Sequence, residues 1–445
     1  MNTPSACCGV FIKKMKIVLI NDRFPPEITG IGNYIMSLAK RMENLGHKLY
    51  IISGTKEKEK EGENMFENLA INRIYSPPSH YLRNYYEIYN PHTVKKIGLL
   101  LKKIKPDVTQ FFNVHESISY YPLKLSSRIS LVTAWFARDV MSFSYNKLTK
   151  FIYKNNFLEI PKNINYQLTF LDRLKQAKKS FNPAKFFLIK HYLSYPDLLF
   201  SVSESLKEAM RQNNINYDIK VLHSGIDVDE YYVNKKEIDK FKRKFGLSDQ
   251  KILFIGGRLS FEKGSDQTIQ ALKIILAEYP KVVLFMAAKK NDYTTKIIER
   301  ARINGIKRDN IILSDWLDRQ EIKISLAASD IVLTPSLCLD AFPKINLEAM
   351  ALGKPVIGTC FGGTPEVVQD GVTGFIITPL NVKLMAKKIL ILLQNKEKSL
   401  RFGQAGKERV KNFFNLSDKA KELLDIYQSV LIKKNEKNNR YNKLG

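Results

Sequence analysis

The chain has 445 residues, 44% of them hydrophobic and 26% charged, which is enough for two domains that each bury a core. Lys and Arg number 71 against 44 Asp and Glu, and the net charge of +27 favours an anionic partner: a nucleic acid, a phosphorylated ligand or an anionic lipid surface. The sequence has no apolar run long enough to span a membrane, and its four Cys residues lack the spacing of a disulfide framework or zinc site, so we expect a protein of the reducing cytoplasm without a metal.

The first elements form a β-loop-α-β unit. "KMKIVLIND" (14–22) is a β-branched apolar run typical of a buried parallel strand. The Pro- and Gly-rich turn "FPPEITGIG" follows, and then "NYIMSLAKRMENLG" carries a helical apolar stripe that ends at Gly46. "HKLYIIS" predicts the next strand, and this order opens a doubly wound sheet.

A second series of alternating strands and helices begins at "KILFIGG" (251–257) and continues to the strand "PVIGT". The sequence therefore predicts an α/β protein with two Rossmann-like domains. Because ligands of such sheets bind at the carboxyl ends of the strands, we expect the two domains to face a central cleft.

The predicted boundaries follow from these two series. Residues 1–14 are expected to be an extension, too short and weakly apolar for a secretory signal, with Met15 as the start of the recognisable domain. The polar, Lys-rich segment between the two series is interpreted as a linker, and the polar end of the chain as disordered. The remaining predicted parts are an N-terminal Rossmann-like domain (15–230), the linker (231–250), a C-terminal Rossmann-like domain (251–412), a helix crossing back to the first domain (413–432) and the tail (433–445).

Residues 141–190 differ from the rest because ten Lys and Arg residues alternate with ten aromatic residues, against Glu159 and Asp172 alone on the acidic side. This pattern predicts a face for an anionic membrane surface or ligand. Two alternatives stay open: a solvated helical insertion whose aromatic side chains pack inward, and a chain that is simply rich in Lys throughout.

"FIGGRLSFEKGSDQ" joins a strand to a helix in the second half. Gly257 permits a tight turn, and Arg258 and Lys263 then flank the start of the helix. A helix N-terminus with two cations is an anion site, and a diphosphate fits it. A solvent-exposed basic turn is the alternative.

"DAFPKINLEAMALG" (340–353) follows a later strand at the same predicted sheet edge. Glu348 is expected to accept hydrogen bonds from ribose hydroxyls, and Asp340 from a sugar hydroxyl. The backbone between them is expected to contact sugar or phosphate oxygens. The donor-binding residues predicted on this loop are Phe342, Pro343, Lys344 and Ile345.

The first half offers weaker candidates. Gly30 and Gly32 allow close approach of a phosphate or sugar, although the third Gly of a dinucleotide fingerprint is missing. His115, Arg138 and Asp139 follow predicted strands, where active sites of α/β proteins gather, and are candidates for the acceptor or sugar side. A structural role is the alternative for the lone His.

Taken in order, "GGRLSFEKG", "DAFPKINLEAMALGKPVIGT" and "GGTPEVVQDGVTGFII" resemble the retaining GT-B glycosyltransferases of family 4, as do "PPEITGIGNY" and "KVLHSGIDVDEY" nearer the N-terminus. The resemblance covers about residues 15–430. It implies a transferase that moves a sugar from a nucleotide-sugar, a UDP- or GDP-sugar, to an acceptor without a metal or cofactor. Arg258 and Lys263 would neutralise the diphosphate, with Asp340 as a third catalytic residue that contacts the donor sugar.

The resemblance also implies that Glu348 binds the ribose and that Gly30 and Gly32 line the phosphates. Three positions depart from the family pattern. Asp340 stands for the usual Glu, Pro343 for a common Gly, and Arg138-Asp139 for His-Asp. These departures bear on the identity of the sugar and acceptor more than on the reaction.

We therefore expect a cytoplasmic glycosyltransferase, peripheral on the inner face of the membrane, that acts on a lipid-linked or polysaccharide precursor. A nucleotide-sugar epimerase on the same fold is the alternative; a phosphorylase of this fold would carry a pyridoxal-phosphate Lys, which no motif suggests. Nucleic-acid binding is suggested by charge alone, without a helix-turn-helix, zinc-finger or RNA-stacking signature, so no nucleic-acid partner is expected.

Overall fold

The computed structural model describes residues 14–27, 30–77, 82–154 and 157–441. The chain divides into two compact units, each built from separate segments. One comprises Met1–Trp135, His191–Leu198 and Ala420–Gly445, and the other comprises Phe136–Lys190 and Leu199–Lys419. The predicted N-terminal extension lies outside the described residues except for Lys14.

The first sheet is mainly parallel and is covered by helices. Its strands run in the order β3-β4-β2-β1-β5-β6-β7-β8, with β3 antiparallel to β4 at one edge. The strands are β1 (Lys16–Asn21), β2 (Lys48–Thr55), β3 (Gly62–Phe66), β4 (Leu69–Tyr75), β5 (Val108–Phe111), β6 (Val132–Ala137), β7 (Leu198–Ser201) and β8 (Ile219–Val221). β1 is buried at five of six positions, as a central parallel strand requires.

The helices of this half begin and end where local signals place them. Asn90 accepts a hydrogen bond from the His92 amide at the start of α3, Pro91 is its first residue, and Lys105 ends it in a left-handed conformation. The helices are α1 (Gly30–Asn44), α2 (Arg83–Tyr86), α3 (Pro91–Ile104), α4 (Pro122–Ser126), α5 (Phe151–Lys154), α6 (Phe170–Ala177), α7 (Lys185–Tyr192) and α8 (Glu204–Gln212).

The second sheet is wholly parallel and has the strand order β11-β10-β9-β12-β13-β14. Its strands are β9 (Lys251–Gly256), β10 (Val282–Ala287), β11 (Ile311–Leu313), β12 (Ile331–Thr334), β13 (Val356–Thr359) and β14 (Gly374–Ile377). The chain runs from β9 outward to β11 and then returns to place β12 on the other side of β9. The order of the strands therefore reverses between β9 and β12, which is where ligands bind in open α/β sheets.

Helices pack on this second sheet and enclose one apolar core. Leu253 and Met286 from the strands lie in the same buried cluster as Leu272, Ile389 and Phe402 from the helices. Each such side chain contributes roughly 1.5–3 kcal/mol when it leaves water. The helices are α9 (Lys235–Lys244), α10 (Ser265–Glu278), α11 (Asp292–Ile303), α12 (Arg319–Ala328), α13 (Lys344–Ala351), α14 (Thr364–Val367), α15 (Val382–Gln394), α16 (Lys396–Phe413) and α17 (Leu416–Tyr441).

The expected linker and the expected disordered tail both contain helix. The expected linker (231–250) contains α9, which starts with a reciprocal capping box between Asn234 and Glu237 and buries Phe241. The expected disordered tail (433–445) continues α17 to Tyr441, and its last four residues lie outside the described residues.

The basic aromatic segment 141–190 folds with the second unit. Most of its described aromatic side chains pack inward, which agrees with the alternative of a helical insertion. The buried ones are Phe143, Tyr145, Phe151, Phe157 and Tyr166. Phe170 and Phe187 are instead 62% and 75% exposed.

The long helix α17 contributes to the first unit from Ala420 onward. There the buried Tyr427 hydroxyl donates a 2.7 Å hydrogen bond to the Gln110 side-chain oxygen at the centre of the sheet. A buried donor and acceptor that satisfy each other hold the helix in a defined register. The sequence had placed a returning helix at 413–432, where the structure has the greater part of α17.

Candidate functional site

The loops after β9 and β12 meet at the carboxyl edge of the second sheet. The Leu337 amide donates to the Glu262 carbonyl at 2.8 Å. Gly264 has a φ of +72°, and a Cβ on it would lie 1.9 Å from the carbonyl oxygen of Pro335. Only glycine permits both this backbone conformation and this approach, so the glycine before α10 brings the two loops together.

An ion pair joins these two loops. The Lys263 ammonium contacts the Asp340 carboxylate, and the Ser336 hydroxyl lies 3.5 Å from the same carboxylate oxygen. Burial, the largest single effect, lowers the pKa of Lys263, but electrostatic interactions with Asp340, Cys338 and Glu262 and the Asp340 hydrogen bond together outweigh it, so the pKa lies above its ordinary value and the side chain stays cationic. The predicted catalytic residues Lys263 and Asp340 are therefore brought into direct contact.

Arg258 occupies the same loop but is exposed. Within the described ranges its guanidinium makes no hydrogen bond or ion pair. Gly257 before it has a φ of +100°, which turns the chain out of β9. An exposed guanidinium without a protein partner is available for an anionic ligand.

Glu348 lies in the second turn of α13. Its carboxylate accepts a 3.1 Å hydrogen bond from the buried Tyr231 hydroxyl and lies 3.6 Å from the Lys344 ammonium. Burial, and then the charge of Glu348, raise the pKa of Tyr231, so the phenol remains a proton donor. Tyr231 therefore fixes the orientation of Glu348, a role the sequence did not indicate.

The four predicted loop residues take different places. Pro343 is the N-cap of α13 and has no N–H, so it cannot donate to a ligand as the expectation for this backbone implied. Lys344 and Ile345 are the first two helical residues, whose amides have no partner within the helix. A Lys at a helix N-terminus is unfavourable unless an anion lies nearby.

Phe342 stacks on His223 with ring centroids 5.3 Å apart and an interplanar angle of 18°. His223 contacts the Glu366 carboxylate at 2.8 Å, and Glu366 also accepts the amide hydrogens of Glu204 and Ser205 at the start of α8. This arrangement holds Phe342 and the adjoining loop from the side. Glu366 acts as a helix cap in this contact.

The double glycine after β13 supports the same loop. The Gly363 amide donates to the Asp340 carbonyl at 2.9 Å, and Gly362 has a φ of +70°. A Cβ on Gly362 would lie 2.2 Å from that carbonyl oxygen. The strands β9, β12 and β13 are neighbours in the sheet, and the loops that follow them thus converge on Asp340.

Lys147 is a cation of this site that the sequence analysis assigned to the basic aromatic segment. Its ammonium lies 3.2 Å from the Ser260 hydroxyl and 3.8 Å from the Glu262 carboxylate, within the loop that carries Arg258. The next residue, Leu148, accepts a 3.0 Å backbone hydrogen bond from Leu339. Lys147 is thus held at the site by long-range contacts, so no local signal predicted it.

Cys338 also lies beside the ion pair but is not a nucleophile. Burial, and then the charge of Asp340, raise the pKa of its thiol to about 11. Since the thiolate is the reactive form, Cys338 stays an unreactive thiol at neutral pH.

The first unit has its own loop cluster at the carboxyl end of β1. The buried Asp22 carboxylate accepts the amide hydrogens of Glu116, Ser117 and Ile118 at 2.7–2.9 Å. Burial raises its pKa to about 6, although the nearby His115 opposes this shift. His115, a predicted site residue, is itself buried at the start of this loop. The sequence missed Asp22, although a carboxylate at a strand end was a signal for it.

The other first-half candidates have clear local positions. Gly30 and Gly32 form the first turn of α1. Arg138 and Asp139 follow β6 and belong to the second unit. Arg138 donates to the Ser224 hydroxyl at 2.5 Å, and Asp139 accepts the Met141 amide at 2.9 Å. Asp139 therefore closes a local turn, and Arg138 is held by Ser224.

Two family models match the chain. The model described as Glycosyltransferase Family 4 matches residues 28–230, and the one described as Glycosyl transferases group 1 matches residues 236–409. The chain belongs to the GT-B glycosyltransferases of family 4. The predicted family, fold class and enzyme class are confirmed, whereas the epimerase alternative gains no support.

Curated relatives carry glycosyltransferase names. YtcC of Bacillus subtilis, named as a glycosyltransferase, is 29% identical over 259 residues, which are 56% of this chain and 64% of YtcC. The alpha-monoglucosyldiacylglycerol synthase of Streptococcus pneumoniae is 22% identical over 350 residues, 77% of this chain and 70% of the synthase. For the first of these relatives, the match spans less than two thirds of its length.

Solved structures show the same fold along nearly the whole chain. Sucrose-phosphate synthase from Thermosynechococcus elongatus has a TM-score of 0.73 at 16% identity and covers 94% of this chain and 100% of its own. Anabaena HepE in complex with UDP-glucose has a TM-score of 0.68 at 17% identity and covers 93% and 100%. At these identities the likeness establishes the fold alone.

The described residues contain no helix that is both long and apolar enough to cross a membrane.

The buried Asp22 leads to a prediction about pH. Since its pKa in the folded protein is about 6, above the ordinary 3.8, ionising it costs folding free energy. Between pH 4 and pH 7 the wild type should lose roughly 2–2.5 kcal/mol of stability relative to Asp22→Asn, which does not titrate. Urea unfolding followed by the fluorescence of the buried Trp135, with the exposed Trp316 replaced by Phe in every variant, measures this difference.

Asp425→Asn, at an exposed carboxylate in the first unit, is the matched control and should follow the wild type at both pH values. An equal pH dependence of Asp22→Asn and wild type would contradict the raised pKa.

Proposed function

We propose that the protein transfers a sugar from a UDP- or GDP-sugar to a hydroxyl of a lipid-linked or polysaccharide-precursor acceptor, with retention of configuration and without a metal ion or cofactor. The observation that carries this proposal is that Arg258, Lys263 and Asp340 lie on the loops after β9 and β12, at one edge of the second sheet, with Glu348 on the helix α13 that follows. The solved relatives support a nucleotide-sugar donor, since HepE has been crystallised with UDP-glucose.

The donor diphosphate would bind between Arg258 and the N-terminus of α10. Arg258 is exposed on this loop, and Lys263 is the second cation. Lys147 would add a third positive charge through its place beside Ser260 and Glu262. Cations and helix N-termini that are fixed before the reaction stabilise a leaving diphosphate without reorganising.

Glu348 and Asp340 would bind the two ends of the donor. The Tyr231 hydrogen bond leaves one Glu348 oxygen for ribose hydroxyls and holds the carboxylate in one orientation. Lys344 would lie near the phosphates, which explains a cation in the first turn of α13. Asp340 would exchange part of its contact with Lys263 for a hydroxyl of the sugar.

In the transfer step, the acceptor hydroxyl oxygen forms a bond to the anomeric carbon while the bond to the diphosphate oxygen breaks. Attack from the face of the leaving group retains the configuration, and the departing phosphate takes the hydroxyl proton. This path needs no protein nucleophile, and the protonated Cys338 beside the ion pair is consistent with that. The protein contributes orientation and charge stabilisation.

The acceptor class and location remain part of the proposal. The name of the pneumococcal relative gives it as the synthase of a glucosyl diacylglycerol, which supports a lipid acceptor for this chain. We propose a cytoplasmic protein that works at the inner face of the membrane, where such precursors are held.

A ligand screen tests the proposed donor. UDP-, GDP- and ADP-sugars are added separately and the thermal unfolding midpoint is measured, because a ligand that binds only the folded state stabilises it by about 2.7 kcal/mol at a hundred times its dissociation constant. A rise with a UDP- or GDP-sugar, and none with ATP or with the free sugar, is expected. No shift with any nucleotide-sugar would contradict the proposal, and conversion of the donor sugar to its epimer without an acceptor would favour the epimerase.

Arg258 should be essential for holding the diphosphate. Arg258→Ala is expected to weaken binding of the nucleoside diphosphate identified by the screen and to slow turnover of the donor about 100-fold or more, because a fixed charge at the leaving group is lost. Calorimetry and the rate of donor consumption measure the two effects. Arg302→Ala, which removes an exposed Arg on α11, is the matched control and should leave both unchanged. Normal turnover in Arg258→Ala would defeat the diphosphate assignment.

Asp340 should affect the sugar and the diphosphate in opposite directions. Asp340→Asn removes the charge that is paired with Lys263, so a nucleoside diphosphate should bind roughly fivefold more tightly, the effect of about 1 kcal/mol for a partly exposed pair. Donor turnover should fall, since Asn accepts sugar hydrogen bonds less strongly than a carboxylate. Asp249→Asn removes a similar carboxylate paired with Lys281 and is the control for charge alone. Weaker diphosphate binding in Asp340→Asn would show that the ion pair does not restrain Lys263.

A further inference from the structure

The second unit carries an exposed apolar patch that the transfer site does not use. It lies on the short helices α6 and α7. Four large side chains there are 40–75% exposed: Phe170, Leu171, Leu174 and Phe187. Such a patch on a well-ordered surface is typical of a docking site.

The two helices adjoin each other, so these side chains belong to one surface. The Arg173 guanidinium of α6 lies 4.8 Å from the centre of the Phe186 ring of α7. The ring of Phe170 contacts Phe181, which lies between the helices, at 5.5 Å. Arg173, Phe187 and Lys190 line one shallow pocket.

Basic side chains surround the patch. We call the four exposed apolar residues, together with Lys175, Lys178, Lys179 and Lys190, the α6–α7 surface. Asp172, the acidic residue of α6, is already engaged by Lys150 and by the capping box with Thr169. In the described part of the chain, the exposed Lys residues of this surface have no acidic partner; they are Lys175, Lys178, Lys179 and Lys190.

Arg173 adds a cation to the lining of this pocket. The Arg173 Nε hydrogen is buried and has no hydrogen-bond acceptor among the described residues, although its Nη2 donates to the Asn213 side chain at 3.3 Å. The Arg173 guanidinium therefore places a positive charge at the pocket, which favours a phosphate there.

The surface is held rigidly from below. The buried Tyr145 hydroxyl donates to the Asn182 carbonyl at 2.8 Å, and the buried Lys185 ammonium lies 4.3 Å from the Tyr145 ring centre. Asn213 accepts the Leu168 amide at 3.0 Å just before α6. The exposed apolar side chains are therefore not the result of a loose segment.

We propose that the α6–α7 surface docks the protein on an anionic lipid membrane. Apolar side chains enter the boundary between headgroups and acyl chains. The surrounding Lys residues attract the negative lipids, and each Lys increases the affinity for the membrane. The Arg173 pocket accepts a headgroup phosphate. Docking does not depend on the transfer reaction, but its use, to present a lipid-linked acceptor, rests on the proposed function.

Charge complementarity selects this partner over others. A nucleic acid would use the Lys residues but would leave Leu171 and Leu174 in water. A second copy of the chain would bring the same Lys residues against each other and would be repelled. An anionic membrane satisfies the apolar and basic parts of the surface together.

Flotation of the full-length protein with vesicles tests the proposal. Binding is expected to vesicles of phosphatidylcholine with 30% phosphatidylglycerol, a choice of about one anionic lipid in three, and not to phosphatidylcholine alone. One variant replaces the four Lys residues of the surface by Gln, and a second combines Phe170→Ser, Leu171→Ser and Phe187→Ser. Each should lower vesicle affinity at least about 100-fold with an unchanged thermal midpoint, since all these side chains are exposed.

The helix α9 provides a matched control, because it also carries four exposed Lys residues that Gln can replace with the same change in net charge. These are Lys235, Lys236, Lys240 and Lys244. The control variant should keep most of its affinity for the vesicles. Equal loss in the control would show that only the net charge of the chain acts, and would overturn the proposal.

The remaining outcomes also decide. Absence of binding to anionic vesicles would overturn docking. Docking would also be overturned if the serine variant changed the oligomeric state of the protein, measured by light scattering, and left its vesicle affinity unchanged. Nucleotide-sugar stabilisation is measured on the same samples. If nucleotide-sugars stabilise the protein but it does not bind vesicles, only the docking proposal is wrong. If the protein binds vesicles but no nucleotide-sugar stabilises it, only the transferase proposal is wrong.

Discussion

The parallel pairing of β9 with β12 is the constraint on which the candidate site depends. Val332 of β12 lies opposite Phe254 of β9, so the two strands end at the same edge of the sheet. Loops that are more than seventy positions apart then leave the sheet side by side, as the 77-residue separation of Lys263 and Asp340 shows. The glycines at 264, 362 and 363 allow these loops to approach each other's backbone. Chemistry gathers here because the topology leaves a gap between helices on opposite faces.

Residue type and spacing were enough to predict the parts of the site that lie within one loop. Arg258 and Lys263 belong to one strand-to-helix turn, and Asp340 and Glu348 to one loop and its helix. The partners that orient them come from far along the chain. Tyr231 lies 117 positions from Glu348, and Lys147 lies 113 from Ser260. Contacts of this separation depend on the packed fold, and no single sequence window contains them.

Two polar segments, 231–250 and the end of the chain, contain helix that their composition does not indicate. The segment 231–250 shows no apolar stripe because α9 buries Phe241 alone among its residues, yet "NKKE" at its start is a readable capping box. The polar end of α17 lacks apolar residues, but its Lys, Glu and Asn residues continue a helix that is already formed. In both places the signals that start or extend a helix outweigh the polar composition.

Charge serves two purposes in this chain, and net charge does not distinguish them. At the loop site, Lys263 is balanced by Asp340 and Lys344 by Glu348, so the site without ligand holds few uncompensated charges. On the α6–α7 surface the Lys residues have no such partners in the described structure. A total of +27 therefore says less about partners than the positions at which cations stay unpaired.

The hydrogen bond between Tyr427 and Gln110 has a consequence for synthesis of the protein. Gln110 leaves the ribosome 317 residues before its partner, so its side-chain oxygen can accept this hydrogen bond only after the last helix has been synthesised. The second unit, whose segments all precede Ala420, has emerged by then. The first unit to be started is thus the last to be completed, because its final helix is synthesised only after all segments of the second unit.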